Sequence, residues 1–362
     1  MIKSLYIHIP FCDNICSYCD FAKVFSSTFS HKSYLDCLIK EIEEEKIPEN
    51  SLDTIYIGGG TPSSLSNEEL DILLSYLHRR FPDVNEFTLE ANPESLTPEK
   101  IRTLSLYHVN RVSLGAQSMN DTILSTLNRK HTTQDIMNCV LNLRKNGIKN
   151  INLDFIYGFE QMEMKDIDDD ISFATGLKIP HLSFYSLQIE EGTLLYNQKA
   201  RCKNDDELRS MYDHILDELE KKGYRRYEVS NFSIPGYESI HNQTYWHDEE
   251  YYAAGLSASG YVGKTRFTNT RSMNHYLEGK LNRSVETIDK AGEEFEFLML
   301  NLRLVKGFSL ETFKKRFHKD FLMDYRKEIQ DVIEYVDYSD GYFRIKKEYI
   351  YTMDSILLKI LR

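Results

Sequence analysis

The sequence predicts an α/β protein: a run of six βα units followed by a smaller α-rich domain. Three observations carry this reading. The first two hundred residues alternate strand-like runs with amphipathic helices, the signature of a parallel sheet. The polar residues that stand out, Cys12, Gly58–Thr61, Glu90, Gln117, Asp154 and Gln188, all fall at or just past strand C-termini. The pattern then changes after about residue 200. Six such units with right-handed crossovers make either an open doubly wound sheet or an incomplete barrel, and periodicity alone does not separate them. The polar residues favour the barrel, whose active sites gather at that end of the strands.

The strands are expected at Ser4–Ile9, Thr54–Ile57, Glu86–Glu90, Arg111–Leu114, Asn150–Ile156 and His181–Leu187. Helices are expected between them at Ser33–Lys46, Asn67–Arg80, Pro98–Tyr107, Thr133–Asn146 and Met164–Thr175. Ser66 before an acidic first turn and the run Thr97-Pro98-Glu99 are ordinary helix starts. Residues 1–200 therefore read as the barrel core and 201–285 as an extension. That extension holds a helix at Asp205–Lys222, a strand at Arg226–Val229 and an aromatic, glycine-rich stretch. Residues 286–362 read as a C-terminal domain that opens with a helix at Gly292–Leu304. From Ser309 to Arg362 two helices, a strand near Tyr342–Ile345 and a last helix suggest a winged-helix-like unit.

At 362 residues the chain can hold one large domain and one small one. Apolar content of 41% with 28% charged residues describes an ordinary globular protein. A net charge of −12 argues against a general nucleic-acid binder. Met1 leads straight into the first strand without a signal-like stretch, and no run approaches a membrane span. A reducing compartment, the cytoplasm, is the expected setting. Cys37, Cys139 and Cys202 stand alone and read as small buried apolar residues.

Cys12, Cys16 and Cys19 are different, because their C-x3-C-x2-C spacing puts three thiolates on one short loop. Clusters that only pass electrons are usually held by four cysteines, so three leave one iron open to a ligand. Zinc bound by three cysteines and His8 is the alternative, but no second Cys or His knuckle follows. The run Gly58-Gly59-Gly60-Thr61-Pro62 lets a ligand approach the backbone and lacks the Lys-Ser/Thr of a Walker loop. Glu90, ending its strand, is placed to accept hydrogen bonds from a ribose or an ammonium group. Asp154, inside an otherwise apolar strand, needs a partner, and Arg129 is the expected one. In His241-Asn242-Gln243-Thr244-Tyr245-Trp246 an imidazole able to ligate iron accompanies two aromatic faces suited to a porphyrin. A packed turn with a core tryptophan is the plainer reading of that segment.

Taken in order, these motifs resemble the coproporphyrinogen-oxidase-like branch of the radical S-adenosylmethionine (SAM) superfamily, over nearly the whole chain. The resemblance implies a [4Fe–4S] cluster on Cys12, Cys16 and Cys19. It implies SAM contacts from Tyr6, Tyr18, Gly59, Gly60, Thr61, Glu90, Gln117, Arg129, Asp154 and Gln188, and reductive cleavage of SAM. Oxidases of this branch carry a fourth cysteine two residues after the third; here Asp20-Phe21 follows, and only eleven residues precede Cys12. His241, Tyr245 and Trp246 match the HNxxYW motif of the branch's HemW-type haem chaperones, which implies haem contacts there. Ser259 stands where the family commonly has a histidine. The resemblance thus implies a chaperone that hands haem to an acceptor such as a membrane-associated respiratory protein, with flavodoxin or ferredoxin as electron donor. A methyltransferase or porphyrin-modifying enzyme of the same superfamily is the alternative.

Overall fold

The computed structural model describes residues 1–361; Arg362, the last residue of the expected C-terminal domain, lies outside the described residues. Six parallel strands follow one another in sequence and in space: β1 (Ser4–Ile9), β2 (Thr54–Gly59), β3 (Glu86–Ala91), β4 (Arg111–Gln117), β5 (Asn150–Tyr157) and β6 (His181–Ser186). Two short antiparallel strands, β7 (Arg225–Arg226) and β8 (Asn231–Ser233), extend the sheet beyond β6. At the opposite edge a short strand, β9 (Tyr252–Ala254), joins β1 in parallel. Among the described residues the order is β9-β1-β2-β3-β4-β5-β6-β8-β7, so the sheet does not close on itself. The α/β class and the six βα units are those expected from sequence.

The strands carry an informative alternation. Leu5, Ile7, Ile9, Ile55, Ile57, Leu89, Val112, Leu114, Leu153 and Leu182 are buried in the apolar core shared with the helices. The residues between them are polar: Ser4, His8, Thr54, Glu86, Arg111, Ser113, Asn152, His181 and Ser183, all buried. A parallel sheet covered on both faces normally reads as continuous apolar runs. Here the second face lines a cavity of about 570 Å³, reached by Tyr56 of β2, Glu90 of β3, Ser113 of β4, Asp154 of β5 and Tyr185 of β6. Side chains from five neighbouring strands meet in one space only if the sheet curls around it.

The helices start where their caps dictate. Ser66 forms a reciprocal capping box with Glu69 ahead of Asn67–Arg80. Thr97 caps Pro98–Leu106, with proline at its first position. A short helix, Asp121–Thr126, capped by Asn120, was not expected from sequence. The expected strand Arg226–Val229 is instead split into β7 and β8, because Glu228 turns inward and accepts the Ser230 N–H at 3.0 Å.

One helix of the extension, Ile240–Trp246, forms a floor under the first residues of β1, β2 and β3. Ser4 and Thr244 share a hydroxyl hydrogen bond at 2.9 Å, and Thr54 meets His241 Nδ1 at 2.8 Å. The Glu86 carboxylate accepts from Ser239 Oγ and from the Ile240 and His241 N–H groups, satisfying donors the helix start leaves free. The other side of β1 is fastened by Glu41, a buried carboxylate of helix His31–Glu44. It accepts from Gly255 N at 2.9 Å, Asn269 Nδ2 at 2.6 Å and Tyr276 OH at 2.6 Å, with Arg283 at 3.3 Å.

The C-terminal part begins with helix Lys290–Asn301 and packs Phe297, Phe308, Phe313, Phe321 and Phe343 into one aromatic cluster. Its small sheet runs Phe308–Ser309, Tyr342–Ile345, Val336–Asp337. The two helices expected after Ser309 are three, Leu310–Phe317, Phe321–Asp324 and Arg326–Asp331. His318 ends the first in a left-handed conformation, φ +56°. Asp248 clamps this part to the floor, taking Arg266 at 3.0 Å and Arg316 at 2.6 Å.

Candidate cofactor site

The cysteine loop leaves β1 and is tied down along its length. His8, 5% exposed, meets the Ala22 carbonyl through Nε2 at 2.8 Å and Tyr6 OH through Nδ1 at 3.0 Å. Because a carbonyl only accepts, Nε2 carries the proton and Nδ1 accepts from the tyrosine. Burial lowers the pKa of this ring. His8 is therefore an anchor for the loop, with neither nitrogen free for zinc. Ser17 Oγ donates to the Thr126 carbonyl at 2.8 Å, and Asn128 Nδ2 to that of Ile15 at 2.9 Å.

Cys12, Cys16 and Cys19 are free thiols that line the cavity together. They lie near enough for their charges to act on one another, although among the described residues no group of three or more His, Cys, Asp and Glu side chains is placed to hold a single ion. Thr61 Oγ1 donates to Cys12 Sγ at 3.4 Å and Arg129 Nη1 to Cys16 Sγ at 3.2 Å. Burial pushes the Cys12 thiol up to about 11 and raises that of Cys19. Such thiols ionise when a metal takes them. Three sulfurs on one cavity, two of them with a hydroxyl or cationic donor aimed at them, fit a multi-iron cluster.

The same cavity gathers Tyr18, Gly59, Gly60, Thr61, Glu90, Gln117, Arg129, Asp154 and, at its rim, Gln188. Gly59 has φ +112°, and a Cβ there would lie 2.5 Å from the His8 ring, so the backbone passes where no side chain fits. Glu90 accepts from Tyr56 OH at 2.7 Å and from Gly59 N at 3.1 Å. Burial raises this carboxyl to about 7, with the Tyr56 hydrogen bond pulling the other way. A shift in the register between β4 and β5 at Gly115–Gln117 puts Gln117 at φ +66° beside the cavity.

The expected Arg129–Asp154 pair does not form. Arg129 donates through Nη2 to the Gly115 carbonyl at 2.7 Å and to Asn92 Oδ1 at 2.8 Å, besides its contact with Cys16. Asp154 is held by Ser113 Oγ and Asn152 Nδ2, each at 2.8 Å. Burial raises Asp154, opposed by these hydrogen bonds and by the charge of Arg111. Arg111, Asn152 and Ser183 line the cavity and were missed from sequence. Their signal was the polar alternation within otherwise apolar strands.

Tyr6, His241, Tyr245 and Trp246 are not among the cavity-lining residues, although Asn242 is. His241 is fully buried, with Thr54 on Nδ1, Tyr245 OH on Nε2 at 2.7 Å and Tyr56 stacked at 5.1 Å. Burial drops its pKa to about 3, and Arg111 adds to the fall. Both nitrogens are engaged, so this arrangement offers none to a haem iron. Ser259 is exposed on a hairpin, bonded to Thr268 Oγ1 at 2.8 Å.

Comparison with known proteins settles the family. Residues 6–174 match the Radical SAM superfamily and residues 290–351 the HemN C-terminal domain. Over 342 residues the chain is 40% identical to the heme chaperone HemW of Lactococcus lactis subsp. lactis, covering 91% of this chain and 89% of that protein. The chain belongs to the HemW family. Its HemW relatives from Bacillus subtilis, 35% identical over 92% of each chain, and Escherichia coli, 32% identical over 84% of this chain and 83% of the other, agree. The coproporphyrinogen III oxidase HemN from Escherichia coli shares the fold, with a TM-score of 0.86 over 99% of this chain and 90% of the other at 18% identity. Radical SAM membership implies a [4Fe–4S] cluster and SAM, and the cavity described above has donors suited to both. No helix among the described residues is long and apolar enough to cross a membrane.

Proposed function

We propose that this protein binds a [4Fe–4S] cluster and SAM in the barrel and carries haem to acceptor proteins. The observation that carries the first part is one cavity bringing together Cys12, Cys16 and Cys19 with Gly59, Gly60, Thr61, Glu90, Gln117, Arg129 and Asp154. The haem part is supported by the likeness to heme chaperones across nine-tenths of the chain. When bound, the cluster supplies an open iron position and one-electron chemistry. The protein groups hold and shield. Arg129 and Thr61 donate to two of the sulfurs, Gly59 and Gly60 admit the ligand to the backbone, and Glu90 offers a carboxylate to a cationic or hydroxyl-bearing group. Tyr6 acts behind them by fixing His8, and Tyr18 and Gln188 border the ligand.

His241, Tyr245 and Trp246 enter this reading as haem contacts that need a rearrangement, since a haem iron must displace Tyr245 from Nε2 or Thr54 from Nδ1. The electron donor is a small flavin or iron–sulfur protein, the acceptor a haem protein at the membrane, and the setting the cytoplasm. The test reconstitutes the cluster anaerobically, loads haem and follows its transfer to apomyoglobin. Retained haem transfer with no product formed from a porphyrin supports the chaperone. Loss of a carboxylate or gain of a methyl on the porphyrin would establish the enzyme instead. Unchanged haem affinity in His241→Ala would remove His241 from the site.

A further inference from the structure

We infer that the deep end of the barrel cavity is a carboxylate-binding subsite built on Arg111, separate from the groups around the cysteines. Arg111 opens β4 and is 1% exposed, yet it lines the cavity. Its Nε has no hydrogen-bond partner. Its charge reaches Glu90 and Asp154 across the cavity, but among the described residues neither forms a salt bridge with it. A buried guanidinium with no direct ion pair is costly, and this one faces open space.

The surrounding polar groups satisfy one another and leave Arg111 out. Asn152 Nδ2 donates to Ser113 Oγ at 2.7 Å and Ser183 Oγ at 3.0 Å, and Ser183 Oγ donates to Asn231 Oδ1 at 2.6 Å. His181 is taken by Asn152 on Nδ1 at 2.7 Å and by Tyr227 on Nε2 at 2.8 Å. Three cations border the cavity: Lys23, Arg111 and Arg129. Lys23 is spent on the Cys19 and Phe21 carbonyls, and Arg129 on Gly115, Asn92 and Cys16. Arg111 is the one with its fork free.

The charge balance names the ligand class. A planar guanidinium pairs bidentately with a carboxylate of matching shape and single charge. Glu90 and Asp154 border the same cavity, so a phosphate would bring a second negative charge toward two carboxyls. A monocarboxylate carries a single charge and meets less of that repulsion. It comes either from a small free acid or from a propionate arm of a porphyrin; the second source alone rests on the haem reading.

The test uses the full chain with its cluster reconstituted, followed by thermal midpoint. Sodium propionate should raise the midpoint with dose, whereas propionamide and sodium chloride at matched ionic strength should not. Arg111→Gln should abolish the response, and Arg111→Lys, which keeps the charge and loses the fork, should weaken it severalfold. Propionate acting no better than chloride on the wild type overturns the proposal, whether or not the variants fold. Inorganic phosphate matching propionate overturns the carboxylate assignment. Competition with propionate by haem but not by haem dimethyl ester assigns the porphyrin arm; competition by neither assigns a small acid. Loss of haem binding with the propionate response intact would sink the chaperone reading and leave this one standing.

Discussion

If the cavity takes SAM as proposed, Glu90 should tie its binding to pH. Its carboxyl, raised by burial to about 7, is about half neutral at neutral pH. A cationic ligand needs the charged form, so binding must expel the proton. With that pKa, affinity is about tenfold lower at pH 6 than at pH 8, worth ~1.4 kcal/mol. Calorimetry of the reconstituted protein with SAM, in buffers of different ionisation enthalpy, reads this directly. Proton release should fall from about one per SAM at pH 6 to about a tenth at pH 8. Glu90→Gln should flatten the profile and weaken binding at pH 8 by about tenfold or more, the loss of a charge-assisted hydrogen bond. An equal pH slope in Glu90→Gln would refute the argument, because the titrating group would then be another. The same carboxyl has a stability consequence. Its folded pKa lies above the ordinary value of 4.5, so its contribution is complete below that value and is lost as pH rises through about 7. The cofactor-free protein should lose at most about 3 kcal/mol across this window on its account, and Glu90→Gln should be the flatter of the two in urea titrations.

Other expectations are as direct. Glu41→Ala strips an acceptor from Gly255, Asn269, Tyr276 and Arg283, and should lower unfolding free energy by about 3–5 kcal/mol in chemical denaturation. Asp248→Ala leaves Arg266 and Arg316 without their shared carboxylate, and should speed proteolytic cleavage between the barrel and the C-terminal helices at an otherwise native circular dichroism. Gly59→Ala forces a Cβ against His8 at φ +112°, and should cost about 1–3 kcal/mol while loosening the cysteine loop, read as poorer cluster retention on reconstitution.

Much of this architecture was legible in the sequence, because local patterns carry it. Strands Ser4–Ile9 and His181–Leu187 showed as apolar runs, Ser66 and Thr97 announced their helices, and the cysteines declared themselves by spacing. What was not legible depends on residues far apart. Arg129 and Asp154 do both border the cavity, but the register shift at Gly115–Gln117 presents the Gly115 carbonyl to the guanidinium, and no local pattern encodes that shift. Glu41 looks like one acid among several on its helix; its partners lie more than two hundred residues on. The segment beginning at His241 shows its chemistry in its letters but not which end of the barrel it occupies, since that is set by Glu86 and Thr54 on separate strands.

The floor helix has a consequence for how the chain matures. The loop bearing Cys12 is anchored by Thr126 and Asn128, so it can form once about a third of the chain has left the ribosome. The groups that close the opposite end, Ser239 to Tyr245, are made only after another hundred residues. At roughly 5–20 residues per second, the fifty or so residues between the end of β6 and Ser239 leave several seconds in which the polar bore is open at its base. Contacts of such long sequence separation also form slowly. A cluster inserted during that interval would meet a water-filled tube rather than a sealed cup.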